Sequence, residues 1–147
     1  MDKFMKTAID EARRGINAGH GGPFGSVIVK DGEIVGKGHN EVIKRGDPTC
    51  HGEIMAIRSA CKKLGTYDLN GCELYTTAEP CPMCAGAIKW ANIAKVWYGC
   101  NIADTDSIGF RDKVFYESED DTSEELDRAE CLKVFAEYSA IADKINY

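Results

Sequence analysis

The stretch "AEPCPMCAGA", residues 78–87, sets Cys81 and Cys84 three positions apart, with a proline on each side of Cys81. Such a pair serves a redox couple, half of a metal site, or two buried thiols. Proline at 82 fits only the first turn of a helix, where its missing N–H has no partner to lose. That places Cys81 at the helix lip and Cys84 one turn on, so both sulfurs can face one object. The free N–H groups of that turn also favour the thiolate. Upstream, "TCHGEI" puts His51 and Glu53 at a second predicted helix start. One imidazole and two thiolates are three good zinc ligands, leaving the fourth tetrahedral position for water. Glu53 is the group a purely structural site would not need: a carboxylate beside metal-bound water can take its proton and pass it to a leaving amine.

Each residue alone has a duller reading. His51 reads as a helix-start histidine, Glu53 as a first-turn acid favouring the dipole, and the cysteine pair as redox thiols. Together, H-x-E followed by P-C-x-x-C at two helix starts separated by a strand points to a catalytic zinc site. Cys50, beside His51, is the rival fourth ligand; if it bound, the site would close and become structural. Cys61, Cys72, Cys100 and Cys131 read as free thiols.

The elements that must position these residues follow from the pattern around them. Phe4, Met5, Ala8, Ile9, Ala12 and Ile16 recur at helical spacing, with Asp2 as N-cap and "GHGG" as a stop. Two β-rich runs then flank Asp31-Gly32, which predicts a tight hairpin. Ile54, Ile57, Cys61 and Leu64 mark one helix face, ending near Gly65. "CELYTT" reads as a third strand, residues 81–91 as a helix, and "KVWYGC" as a fourth strand. From 101 to 116 the periodicity is weak, consistent with a loop holding a short helix and strand. "ESEDDTSEE" carries six acids in nine residues, a solvated loop feeding a last helix through Leu126, Ala129, Leu132, Phe135 and Ala136, with Thr122 and Glu125 at capping-box spacing. This order predicts an α/β sandwich with a mixed sheet.

At 147 residues the chain is one domain's length. Hydrophobic content of 44% with 29% charged is a globular balance. No apolar run is long enough for a membrane span, and the start lacks a secretory or transit pattern, so a cytoplasmic protein is expected. Seven scattered cysteines there imply free thiols plus a specialised site. A net charge of −6 weighs against a nucleic-acid partner and suits a small neutral substrate.

Over nearly its whole length the chain resembles the cytidine-deaminase-like superfamily, and within it the bacterial guanine deaminases. "GGPFGSVIVKDG", "DPTCHGEIMAIRSACKKLG", "LYTTAEPCPMCAGAIKWA", "DTDSIGFRDKVFYE" and the terminal tyrosine carry that likeness. The resemblance implies a three-layer α/β/α sandwich on a five-stranded mixed sheet, and a homodimer whose C-terminal segments, about 117–147, are exchanged between subunits. It implies one zinc ion per subunit on His51, Cys81 and Cys84, with Glu53 as proton shuttle. It further implies that Asn40 hydrogen-bonds the base, that Phe24 packs on its face, that Trp90 lines the pocket, and that Asp112 and Tyr147 close over it. The reaction implied is hydrolysis of guanine to xanthine and ammonia. Cytosine, ammeline-like triazines and adenosine in a tRNA loop stay open as substrates, since "ECLKVFAEY" has the cast of tRNA adenosine and cytosine deaminases. A structural zinc-binding module and a thiol redox protein stay open as readings from other classes.

Overall fold

The computed structural model describes residues 1–118 and 123–147. It separates into two compact units, Met1–Glu117 and Ser118–Tyr147.

In the first unit, helix α1 (Lys3–Asn17) starts where the Asp2 carboxylate accepts from the Phe4 and Met5 N–H groups, at 2.8 and 2.9 Å. Strands β1 (Gly25–Lys30) and β2 (Glu33–His39) form the antiparallel hairpin. Its turn holds Asp31 at φ 49° and Gly32 at φ 78°, the left-handed pair that matches strand twist. A short helix α2 (Val42–Arg45) follows, then α3 (Gly52–Leu64), which stops at Gly65 in the left-handed region. Strand β3 (Cys72–Ala78), helix α4 (Pro82–Trp90) and strand β4 (Lys95–Cys100) complete the α/β core.

The sheet order is β2-β1-β3-β4, with β1 antiparallel to both neighbours and β3 parallel to β4. Alternation along β1 sends Val27 and Val29 toward α1, where they pack with Ala8, while Ile28 joins Leu74, Ala56, Ala60 and Ile88 on the opposite face. Helices therefore cover both faces, giving the three-layer α/β/α architecture. Gly36 is required by that packing: a Cβ there would lie 2.6 Å from the backbone oxygen of Ala56 and 2.6 Å from the nitrogen of Ala60.

The expectation of five strands is corrected: among the described residues the sheet has four. After β4 the chain turns helical instead. Asn101 and Asp104 form a reciprocal capping box that starts α5 (Ile102–Ser107), and α6 (Asp112–Glu117) follows where a short strand was expected.

The second unit carries α7 (Arg128–Ser139), which begins two residues after the first apolar position of the expected helix and has no buried residue. Thr122, one half of the expected capping pair with Glu125, lies outside the described residues, as does the middle of the acid-rich stretch. Among the described residues no helix is long and apolar enough to cross a membrane.

Candidate metal centre and active site

Two helix starts meet beside the end of β3. His51 is the N-cap of α3 and Cys81 the N-cap of α4, each with extended backbone, at φ −70°, ψ 159° and φ −66°, ψ 168°. Neither side chain is spent on capping its own helix, so both are free to turn toward a common point. Pro82 at the first helical position fixes the entry of α4 and sets Cys84 one turn beyond Cys81.

His51 Nδ1 lies 3.5 Å from Cys81 Sγ and 3.6 Å from Cys84 Sγ. Tetrahedral zinc with Zn–S near 2.3 Å and Zn–N near 2.0 Å requires an N···S separation of about 3.5 Å. The donor trio therefore fits a zinc ion without rearrangement. Its electrostatics agree. The Cys84 thiol donates to Cys81 and, with help from His51, holds the Cys81 thiol down to about 4. The same hydrogen bond, with burial, pushes Cys84 up. Two thiolates this close repel; a divalent cation with a neutral imidazole gives them a site of zero formal charge.

Glu53 stands in the first turn of α3, two residues beyond His51, and is 6% exposed. Burial raises its carboxyl to about 7. A carboxyl poised there can both take and give a proton near neutral pH.

Cys50 does not close the site. It is buried, its carbonyl accepts the Glu41 N–H at 2.9 Å, and its sulfur is not among the converging donors. Among the described residues the group that can hold a metal here is His51, Cys81 and Cys84 alone.

His51, Glu53 and Cys81 open onto a cavity of about 700 Å³, large enough for a purine or pyrimidine base. Phe24 and Asn40 line it, as does Asp112 at the start of α6. Phe24 meets Phe110 edge-on, with centroids 4.8 Å apart. Asn40 is buried; its Oδ1 accepts the Val42 N–H at 3.0 Å, which leaves its NH₂ end for a ligand. Burial and the nearby Cys81 raise the Asp112 carboxyl.

Two of the expected residues are exposed. Trp90 is the last residue of α4, is 69% exposed, and is not among the cavity's lining residues. The residues that face the cavity from α4 are those of its first turn, Pro82 and Met83. Tyr147 ends the second unit and is 80% exposed.

Sequence reasoning missed Glu79, Phe110 and Arg111 among the lining residues. Glu79 also accepts the Ile102 N–H at 3.0 Å, which ties the start of α5 to the turn after β3. Its place inside "AEPCPMC" was a usable signal; Phe110 and Arg111 lie where no periodicity marked them.

The family model of the cytidine and deoxycytidylate deaminase zinc-binding region matches residues 1–100. The chain is 45% identical to the guanine deaminase of Bacillus subtilis, with 99% of this chain and 98% of that one covered. The crystal structure of that guanine deaminase superposes with a TM-score of 0.93, covering 100% of this chain and 99% of that one at 44% identity. A tRNA-specific adenosine deaminase from Aquifex aeolicus is 41% identical, with 84% of this chain and 89% of that one covered. A guanine deaminase structure from Nitrosomonas europaea matches at a TM-score of 0.71 and 28% identity, covering 89% of this chain and 71% of that one.

Proposed function

Since the chain belongs to the family of the cytidine and deoxycytidylate deaminase zinc-binding region, we propose that it hydrolyses guanine to xanthine and ammonia. The observation that carries this reading is Glu53, a buried carboxyl raised to about 7 beside an N,S,S donor trio on the wall of a base-sized cavity. A structural zinc module has no use for that carboxyl, and a redox pair has none for His51. Guanine as substrate is supported by a likeness to a guanine deaminase that runs through the whole chain, tail included.

Zinc on His51, Cys81 and Cys84 supplies Lewis acidity that makes a water acidic enough to attack at neutral pH. Glu53 takes the proton of the attacking water as the C2–O bond forms and gives it to the adjacent ring nitrogen. It then takes the second hydroxyl proton and delivers it to the exocyclic amine, which leaves as ammonia when the C2–N bond breaks. The Asn40 amide orients the ring by its free NH₂ end. Phe24 packs on the face of the base, braced by Phe110. Asp112 borders the cavity from α6 and shields the base from water.

The protein works as a homodimer in which the segment after Glu117 is exchanged, so that Tyr147 closes over the base in the partner subunit. Support comes from the second unit itself: α7 has no buried residue, and Leu126, Val134, Phe135, Ile141 and Ile145 are all more than half exposed. Seven free cysteines fit the reducing cytoplasm.

Ammonia release by zinc-loaded protein from a panel of guanine, adenine, cytosine, guanosine and tRNA tests the assignment. Turnover of guanine alone is the expected result. Turnover of tRNA with none on any free base overturns it.

A further inference from the structure

We propose that His20, His39 and Glu41 form a second cation site, of two imidazoles and one carboxylate, for a zinc-class transition-metal ion. The three donors are His20 Nδ1, His39 Nε2 and a Glu41 carboxylate oxygen, all within 4.8 Å of one another. The two ring nitrogens stand 2.8 Å apart, and His39 Nε2 lies 3.8 Å from Glu41 Oε1. Tetrahedral zinc with nitrogen and oxygen ligands at 2.0–2.1 Å needs donors about 3.3 Å apart, a value these two distances bracket.

The site is built, not incidental. His39 Nδ1 donates to Glu11 Oε2 at 3.0 Å, with both side chains 8% exposed. That is the outer-shell carboxylate which leaves Nε2 bare as a ligand and fixes the ring plane. Gly15 of α1 makes room for the ring: a Cβ there would come within 2.6 Å of it. The His20 carbonyl accepts the Ile43 and Lys44 N–H groups, each at 3.0 Å, so the loop before β1 is pinned against α2. His39 and Glu41 also line a separate cavity of about 510 Å³.

Burial and the Lys44 ammonium hold the His20 imidazole below its usual range. Burial raises the Glu41 carboxyl, but Arg45 and Lys44 outweigh it and keep the group ionised. On binding, the His20 proton that sits between the rings moves to Nε2 of the same ring, and the ion displaces Lys44, now 3.4 Å from Glu41 Oε1. Competition from Lys44 and Arg45 for the Glu41 carboxylate makes this site weaker than the N,S,S trio, so it fills second. Its consequence is positional. Asn40 lies between two of the ligands, so an ion there holds the residue that faces the base from both sides along the chain.

The test uses the full-length protein carrying one tightly held zinc, titrated with Co²⁺ and followed by absorption and calorimetry. The expected result is one further equivalent with d–d bands in the visible and no new sulfur-to-cobalt charge-transfer band. His20→Gln keeps a hydrogen-bond donor toward His39 and weakens the second equivalent at least tenfold, with the first zinc and the far-UV spectrum unchanged. Glu41→Gln gives the same loss. No second equivalent in the wild type, or one that binds equally well in both variants, overturns the proposal.

Discussion

Nδ1 of His51 stands 3.5 Å from Sγ of Cys81, although 30 residues separate them in sequence. Each is the residue immediately before a helix, so a single point in space is defined by two helix entries. Substituting any of the three ligands removes a donor that no neighbour can replace, because Cys50 is not among the donors that converge here. Cys84→Ser and His51→Ala are each expected to purify with well under one zinc per chain, and metal analysis reads the outcome directly.

Removing the carboxyl separates catalysis from metal binding. Glu53→Gln preserves size and burial but cannot accept a proton. It should retain one zinc and lose about 10²–10⁴-fold in kcat. A variant that keeps both zinc and turnover would remove Glu53 from the mechanism.

Acid should silence the enzyme through the same group. Burial raises Glu53 to about 7, and only its ionised form can take a proton from water. A bound cation nearby favours the carboxylate and lowers that value. The kcat/KM profile is therefore expected to fall as pH drops, with its acid midpoint at or below about 7. A midpoint clearly above 7 would assign the limb to another group.

Stability should show its own acid limb. Burial raises the Glu11 carboxyl, but His39 and Lys37 outweigh that and hold it below its ordinary value of 4.5. A depressed carboxyl contributes stability that is complete above 4.5 and disappears as pH falls further. Urea midpoints should decline below pH 4.5 in the wild type, and less steeply in Glu11→Gln.

At the sheet–helix contact, Gly36→Ala forces a methyl group into backbone atoms 2.6 Å away. A loss of about 1–3 kcal/mol is expected from that overpacking, measurable by denaturant melting.

Much of this architecture could be read in advance wherever a local rule and the tertiary fold agree. Asp2, Asp31-Gly32, Gly65 and Pro82 each act within a few residues of themselves, so the ends of α1, the hairpin, the stop of α3 and the entry of α4 were legible. The metal trio was legible for a related reason, since its ligands sit on two short helix-start motifs. Helix α2 was not, and α5 was foreseen only as a short helix without bounds. The α2 start is held by a distant acceptor, the His20 carbonyl, which no local window contains. Helix α5 starts at a local Asn101–Asp104 capping box and is tied further by the distant Glu79 carboxylate, so only its start could be read. The helix α6 found in place of the expected short strand and the lining by Phe110 and Arg111 belong to the same weakly periodic stretch. Trp90 was placed by likeness alone, and within this chain α4 carries it to the surface.

Because His51 and Cys81 each occupy the doorstep of a helix, the ion that joins them acts as a rivet between α3 and α4. Pulling it out frays two helices at once, so chelation and heat should cooperate. A melting curve taken with a chelator present would then measure how firmly these two helices hold each other by packing alone.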